Sequence, residues 1–103
     1  MTATAFAPIA GIGATIFFGS DRVAGTVIHA TKRQVVVQED ISTPADGFDY
    51  FGNQVYDYLP DNEGRTFIFT LRDNGAWIMK GAGKRNGLQA GLGGRDTYRD
   101  PHF

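Results

Sequence analysis

The chain has 103 residues, of which 42% are hydrophobic and 13% aromatic, enough for one folded core and too few for two domains. It has no cysteine, which excludes disulfides, thiolate nucleophiles and cysteine-ligated zinc; its formal net charge of −1 argues against strong binding to duplex nucleic acid. Fourteen glycines point to tight turns and short strands rather than long helices.

In chain order, residues 1–12 are Ala-rich, contain Pro8 and lack the basic start of a secretory signal, and no apolar run in the chain approaches a membrane span. They read as a flexible tail in a cytoplasmic protein. Gly13–Phe18 (GATIFF) alternates and predicts a strand with Ala14, Ile16 and Phe18 on one face. The residues Gly19-Ser20-Asp21-Arg22 make a turn, and Val23–His29 (VAGTVIH) a second strand in which Gly25 suggests a bulge or sharp bend. After a polar turn, Gln34–Glu39 (QVVVQE) predicts a third strand covered on both faces or nearly so. The connection Asp40–Gly52 suits a flexible excursion or one helical turn begun by Ser42 or Thr43. Val55–Leu59 predicts a fourth strand, and Thr66–Arg72 (TFIFTLR) the strongest one. The Asn74-Gly75 pair favours a type I′ hairpin leading into Ala76–Lys80. Segment 81–94 is Gly-rich, with a short closing strand near Leu88–Leu92, and 95–103 is a polar, aromatic tail that Pro101 keeps from being helical.

Five or six short strands without a helix predict an all-β domain over residues 13–103. A small SH3-like barrel is the economical form because closure removes exposed edges; a two-sheet β-sandwich is the alternative.

The chemical motifs are weak. Gly81-Ala82-Gly83-Lys84 lacks both the earlier glycine and the following Ser or Thr of a phosphate-binding P-loop, since Ile78 and Arg85 stand there. Its glycines still suit a backbone anion contact beside Lys80, Lys84 and Arg85. Gly11-Ile12-Gly13 precedes a strand and reads as linker. His29 and His102 have no second metal ligand at a suitable spacing, and Ser20 lacks the surroundings of a nucleophile elbow. Glu39 and Asp40, adjacent on a strand, point to opposite faces and read as a solvated strand end. No catalytic residue, metal ligand or cofactor is therefore predicted, and the reading is non-enzymatic.

Charge is unevenly placed. Residues 1–79 hold five basic and nine acidic side chains, residues 80–103 five basic and two acidic ones. The hairpin residues Arg72 and Trp77 offer a planar fork and a stacking face. Arg95, Tyr98 and Arg99 repeat those residue types in the tail. A tail folded back on the hairpin would line one cleft suited to a base and phosphates, with Arg72, Trp77, Lys80, Lys84, Arg95, Tyr98 and Arg99 as the ligand-binding set. The alternative is a core Trp77 with the arginines in surface ion pairs.

Four stretches carry a family resemblance: Gly13–Thr15 leading to Ser20–Arg22, Val36–Asp40, Phe69–Trp77 and Gly94–Phe103. On these the chain resembles a family of small, uncharacterised proteins encoded by phages and prophages. Members often carry a basic residue where Asp73 and Ala76 stand here, so this hairpin is less positive. The resemblance implies a host-cytoplasmic protein that binds and disables host machinery or signals. The first functional expectation is a sponge that sequesters a host antiviral nucleotide signal, as a homo-oligomer with its site near a subunit interface. The second is a protein-interaction module that inhibits a host defence or transcription protein through Tyr50, Phe51, Tyr56 and Tyr58.

Overall fold

The computed structural model describes residues 8–81 and 87–101. Among these residues eight strands follow one another: β1 (Gly13–Phe18), β2 (Asp21–Ala30), β3 (Gln34–Glu39), β4 (Ile41–Pro44), β5 (Tyr56–Leu59), β6 (Thr66–Leu71), β7 (Trp77–Met79) and β8 (Gln89–Leu92). Six of them close into a barrel in the order β1-β2-β3-β6-β7-β8, and β4 and β5 pair as a separate two-stranded sheet. The small barrel predicted from the strand pattern is what forms, and its size is consistent with the SH3-like type. The closing strand predicted near Leu88–Leu92 is β8, with Leu92 opposite Ala14 of β1 and Ala90 opposite Trp77 of β7.

Period-two alternation fills the interior. Ala14, Ile16, Val27, Val35, Val37, Phe69 and Ala90 point inward and are buried, with Ile12, Phe18, Ala30, Phe67, Trp77, Met79, Leu88 and Leu92 packed around them. Each large side chain buried in full here contributes roughly 1.5–3 kcal/mol. Gly25 does not carry the bulge expected of it. A Cβ there would lie 2.6 Å from Val37 Cγ1, so the glycine serves the close approach of β2 to β3. The register shift falls between Val27 and His29, and it leaves both Ile28 and His29 exposed.

The Asn-Gly hairpin also differs from expectation. A type I′ turn needs positive φ at both central residues, and of the pair only Gly75 has one, at +86°. The Gly75 N–H donates to the Arg72 carbonyl (2.9 Å) and the Arg72 N–H to the Ala76 carbonyl (2.9 Å), which makes a three-residue loop. The Asn74 side chain accepts from the Ala76 N–H at 3.0 Å, so it is engaged in the right-handed conformation. No helical turn begins at Ser42 or Thr43. Ile41–Pro44 is extended and pairs with β5, Ile41 opposite Leu59 and Pro44 opposite Tyr56.

Residues beyond β8 form a strap along the outer wall. Thr15 Oγ1 donates to the Gly94 carbonyl (2.9 Å), and Tyr98 exchanges two backbone bonds with Arg22 (2.8 and 2.9 Å). The Asp100 N–H then reaches Asp21 Oδ1 at 2.7 Å. The strap explains why Thr15 and Ala24, which point away from the core, are nevertheless buried. It also answers an edge problem. Strand β3 covers β2 only from Gly25 onward, and Tyr98 occupies the exposed edge at Arg22. At the other terminus the expected tail is shorter than residues 1–12, because Gly11 donates to the Val27 carbonyl and Val27 to the Ile12 carbonyl (2.7 and 2.9 Å). Residues 1–7 lie outside the described residues.

Candidate functional site

In an antiparallel barrel alternate turns share an end. The β2–β3 turn and the β6–β7 turn therefore meet at one mouth, together with the start of β1 and the end of β8. At this mouth a cleft of about 730 Å³ opens between β7 and β8, lined by Pro8, Lys32, Leu71, Gly75, Ala76, Trp77, Gln89, Ala90, Gly91 and Leu92. It exists because β7 begins only at Trp77 while β8 runs on to Leu92, so the last residues of β8 have no strand on that side. Trp77 is half-buried, packed on the core while bordering the cleft. Lys32, exposed in the β2–β3 turn, is its one charged lining residue among the described residues.

The predicted binding residues are not brought together. β7 stands three strands from β2 in either direction round the barrel, so Trp77 and the strap face opposite sides. The tail does double back as expected, but onto β2 rather than onto the Asn-Gly hairpin. Arg72 lies on the outer wall of β6 and β7, donating to Thr70 Oγ1 and to the Met79 carbonyl (both 3.1 Å). It borders a second, smaller depression of about 310 Å³ with Asp73, Asn74 and Ile78. Lys80 is exposed where the chain leaves β7 toward the opposite end of the barrel from the cleft. Lys84, like Arg85 and His102, lies outside the described residues.

The strap residues have structural partners instead. Arg95 Nε donates to Asp40 Oδ2 (2.7 Å) and its terminal amine to Thr26 Oγ1 (2.9 Å), while the Thr26 hydroxyl donates to Asp40 Oδ1 (2.6 Å). The Asp40 side chain has 0% exposure, so Asp40 is a buried anchor and not the solvated strand end expected beside Glu39. Arg22 pairs with Asp96 at 2.5 Å and stacks over the Tyr98 ring at 4.9 Å. The Thr97 N–H donates to the Tyr58 hydroxyl (3.1 Å), and Thr97 Oγ1 bonds Ser42 Oγ (2.8 Å). Gln54 holds Arg99 by its backbone, donating to its carbonyl (2.6 Å) and accepting from its N–H (2.9 Å). The strap is thus the mortar between barrel and β4–β5 sheet. In that sheet Tyr56 packs against Phe48 and Tyr58, and burial raises its phenol pKa above the usual 10.0, with Arg99 opposing. The outer side of the sheet pairs Ile41 with Leu59, both exposed, and Tyr50 and Phe51 stand exposed in its connecting loop.

Sequence reasoning missed Lys32, Leu71 and the β8 residues of the cleft. The signal for Lys32 was its place in a turn at the same barrel end as the Asn-Gly turn, which becomes readable only once strand order is known. Among the described residues no three His, Asp or Glu side chains cluster as a metal site, and no helix is long and apolar enough to cross a membrane. No protein-family model, curated protein or solved structure matches the chain.

Proposed function

We propose that the chain is a non-enzymatic binding protein that takes a nucleotide-like small molecule into the mouth cleft. The observation that carries this reading is the pairing of a half-buried indole with a mainly apolar cleft of about 730 Å³ on whose rim, among the described residues, stands one cation, Lys32. Small-ligand sites fall in roughly the 300–1,000 Å³ range and favour barrel mouths, apolar walls and a few polar groups. Trp77 supplies a stacking face for a base, and Lys32 a point charge for a phosphate. Among the described residues that line the cleft there is no hydroxyl, carboxylate or imidazole. Sequestration of a host nucleotide signal is the role proposed for such a site.

Isothermal titration with AMP, ADP-ribose and cyclic dinucleotides tests the reading. Binding by at least one, weakened about tenfold or more by Trp77→Ala, is expected, because base stacking on an aromatic contributes roughly 1–3 kcal/mol. Lys32→Ala should weaken a phosphorylated ligand more than its nucleoside. The absence of heat from every ligand at concentrations near a millimolar would remove the proposal.

A second reading, capture of a host protein, is favoured by a separate observation: exposed Ile41, Leu59, Tyr50 and Phe51 on the β4–β5 sheet and its loop. A stoichiometric partner retained by the native chain and lost in Ile41→Asp would favour it over the first.

A further inference from the structure

The cleft has a feature that its side chains do not reveal. In an antiparallel ladder a residue directs its N–H and C=O toward one neighbouring strand, and the direction alternates along the chain. Two bonds fix that alternation in β8. The Gly93 N–H donates to the Gly13 carbonyl at 2.8 Å, so Gly93 and Gly91 face β1. The Met79 N–H donates to the Leu88 carbonyl at 2.9 Å, so Leu88, Ala90 and Leu92 face β7. Ala90 meets Trp77 there, and continuing that register puts Gly75 opposite Leu92. Gly75 has left the ladder. It sits in the hairpin loop at φ +86°, its N–H donating back to Arg72. Among the described residues no strand therefore faces the N–H and C=O of Leu92, which lie side by side toward the gap that Gly75, Ala76, Trp77 and Leu92 line.

We infer that the Leu92 backbone is the recognition pair of the cleft, and that it reads a nucleobase edge carrying an acceptor next to a donor, the arrangement on the Watson–Crick face of adenine. The inference rests on the proposed binding of a nucleotide in this cleft and names its chemical determinant. A site of this kind discriminates strongly, because a ligand that cannot satisfy the donor and acceptor leaves them unpaired in an apolar setting. Apolar walls and Trp77 hold any flat ring; Leu92 selects among rings.

The test is an amide measurement on the isotope-labelled native chain, without and with AMP. In the free protein the Gly91 and Gly93 amides should resist hydrogen exchange while the Leu92 amide, off the ladder, exchanges readily. With AMP the Leu92 amide should become protected and move most in the proton–nitrogen spectrum. N6,N6-dimethyl-AMP, which has lost the donor, should bind about tenfold more weakly. Leu92→Pro removes the N–H without breaking a ladder bond and should lose AMP affinity to a similar degree, whereas Leu92→Ala keeps the N–H and should retain more. A Leu92 amide as protected as Gly91 in the free chain overturns the inference without any ligand. If AMP binds and Trp77→Ala weakens it, but the Leu92 amide does not respond and the dimethylated analogue binds equally, the backbone assignment falls and the cleft stands. If no nucleotide binds, the reading of the cleft itself falls.

Discussion

Removing either half of the Asp40–Arg95 pair should loosen the strap, and the two removals should differ in a defined order. Asp40 is wholly enclosed, while the Arg95 side chain keeps 28% of its surface in water. Breaking a buried pair by deleting one member costs about 3–5 kcal/mol, because the survivor is stranded. Asp40→Ala strands a guanidinium that still reaches solvent, so its cost should fall below that range, at about 2–3 kcal/mol. Arg95→Ala strands a carboxylate with no exposure and only the Thr26 hydroxyl as partner among the side-chain bonds described, so it should cost about 3–5 kcal/mol. For a domain of this length the smaller loss lowers Tm by roughly 10–20 °C. The double variant Asp40→Leu/Arg95→Met strands neither charge and should come within about 1–2 kcal/mol of the native chain. Urea unfolding followed by circular dichroism gives all three values, and amide exchange at Thr97 and Tyr98 reports the strap directly. Single variants that each cost under about 1 kcal/mol, or a double variant equal to the sum of the singles, would refute the argument.

Three smaller predictions follow from single contacts. Tyr58→Phe removes the acceptor of the Thr97 N–H and should cost about 1 kcal/mol in urea unfolding, with faster exchange at that amide. Gly75→Ala puts a side chain at φ +86° and should cost about 1–2 kcal/mol, although nothing lies within 4 Å of the new methyl group. Burial raises the folded-state pKa of Tyr56 above its unfolded value near 10.0, so its contribution to stability is present below that pH and lost as pH rises through the folded value. Tyrosinate absorbance of the native chain compared with Tyr56→Phe should assign to Tyr56 a phenol that ionises later than a free tyrosine.

The strands were legible because alternation is local: Phe67, Phe69 and Leu71 announce an inward face without reference to anything distant. What lies between strands was not. The Asn74-Gly75 pair signals a hairpin correctly, but the turn type depends on where the Asn74 side chain finds its donor, Ala76. Gly25 announced a special position, and only the neighbouring Val37 reveals that the need was for space. Asp40 and Arg95 are 55 residues apart, and no short-range pattern joins them. The candidate site suffered most. Aromatic and guanidinium groups near the C-terminus looked like ligand contacts, yet Arg95 and Tyr98 fasten the strap to Asp40, Thr26 and Arg22. Trp77 survives as a cleft residue because its strand is short and the seam beside it parts.

The strap also sets an order of events during synthesis. Ser42, Gln54 and Tyr58 are made early, but the Thr97 and Arg99 groups that tie them down lie about forty to fifty-five residues downstream. Until those residues have left the ribosome, the β4–β5 sheet has no such ties and Arg22 lacks its partner along the edge of β2. Such long-range closure is slow relative to local pairing. A nascent chain halted before Gly94 would therefore expose both an unpaired strand edge and Tyr58, which the strap later engages, a state prone to association with other chains.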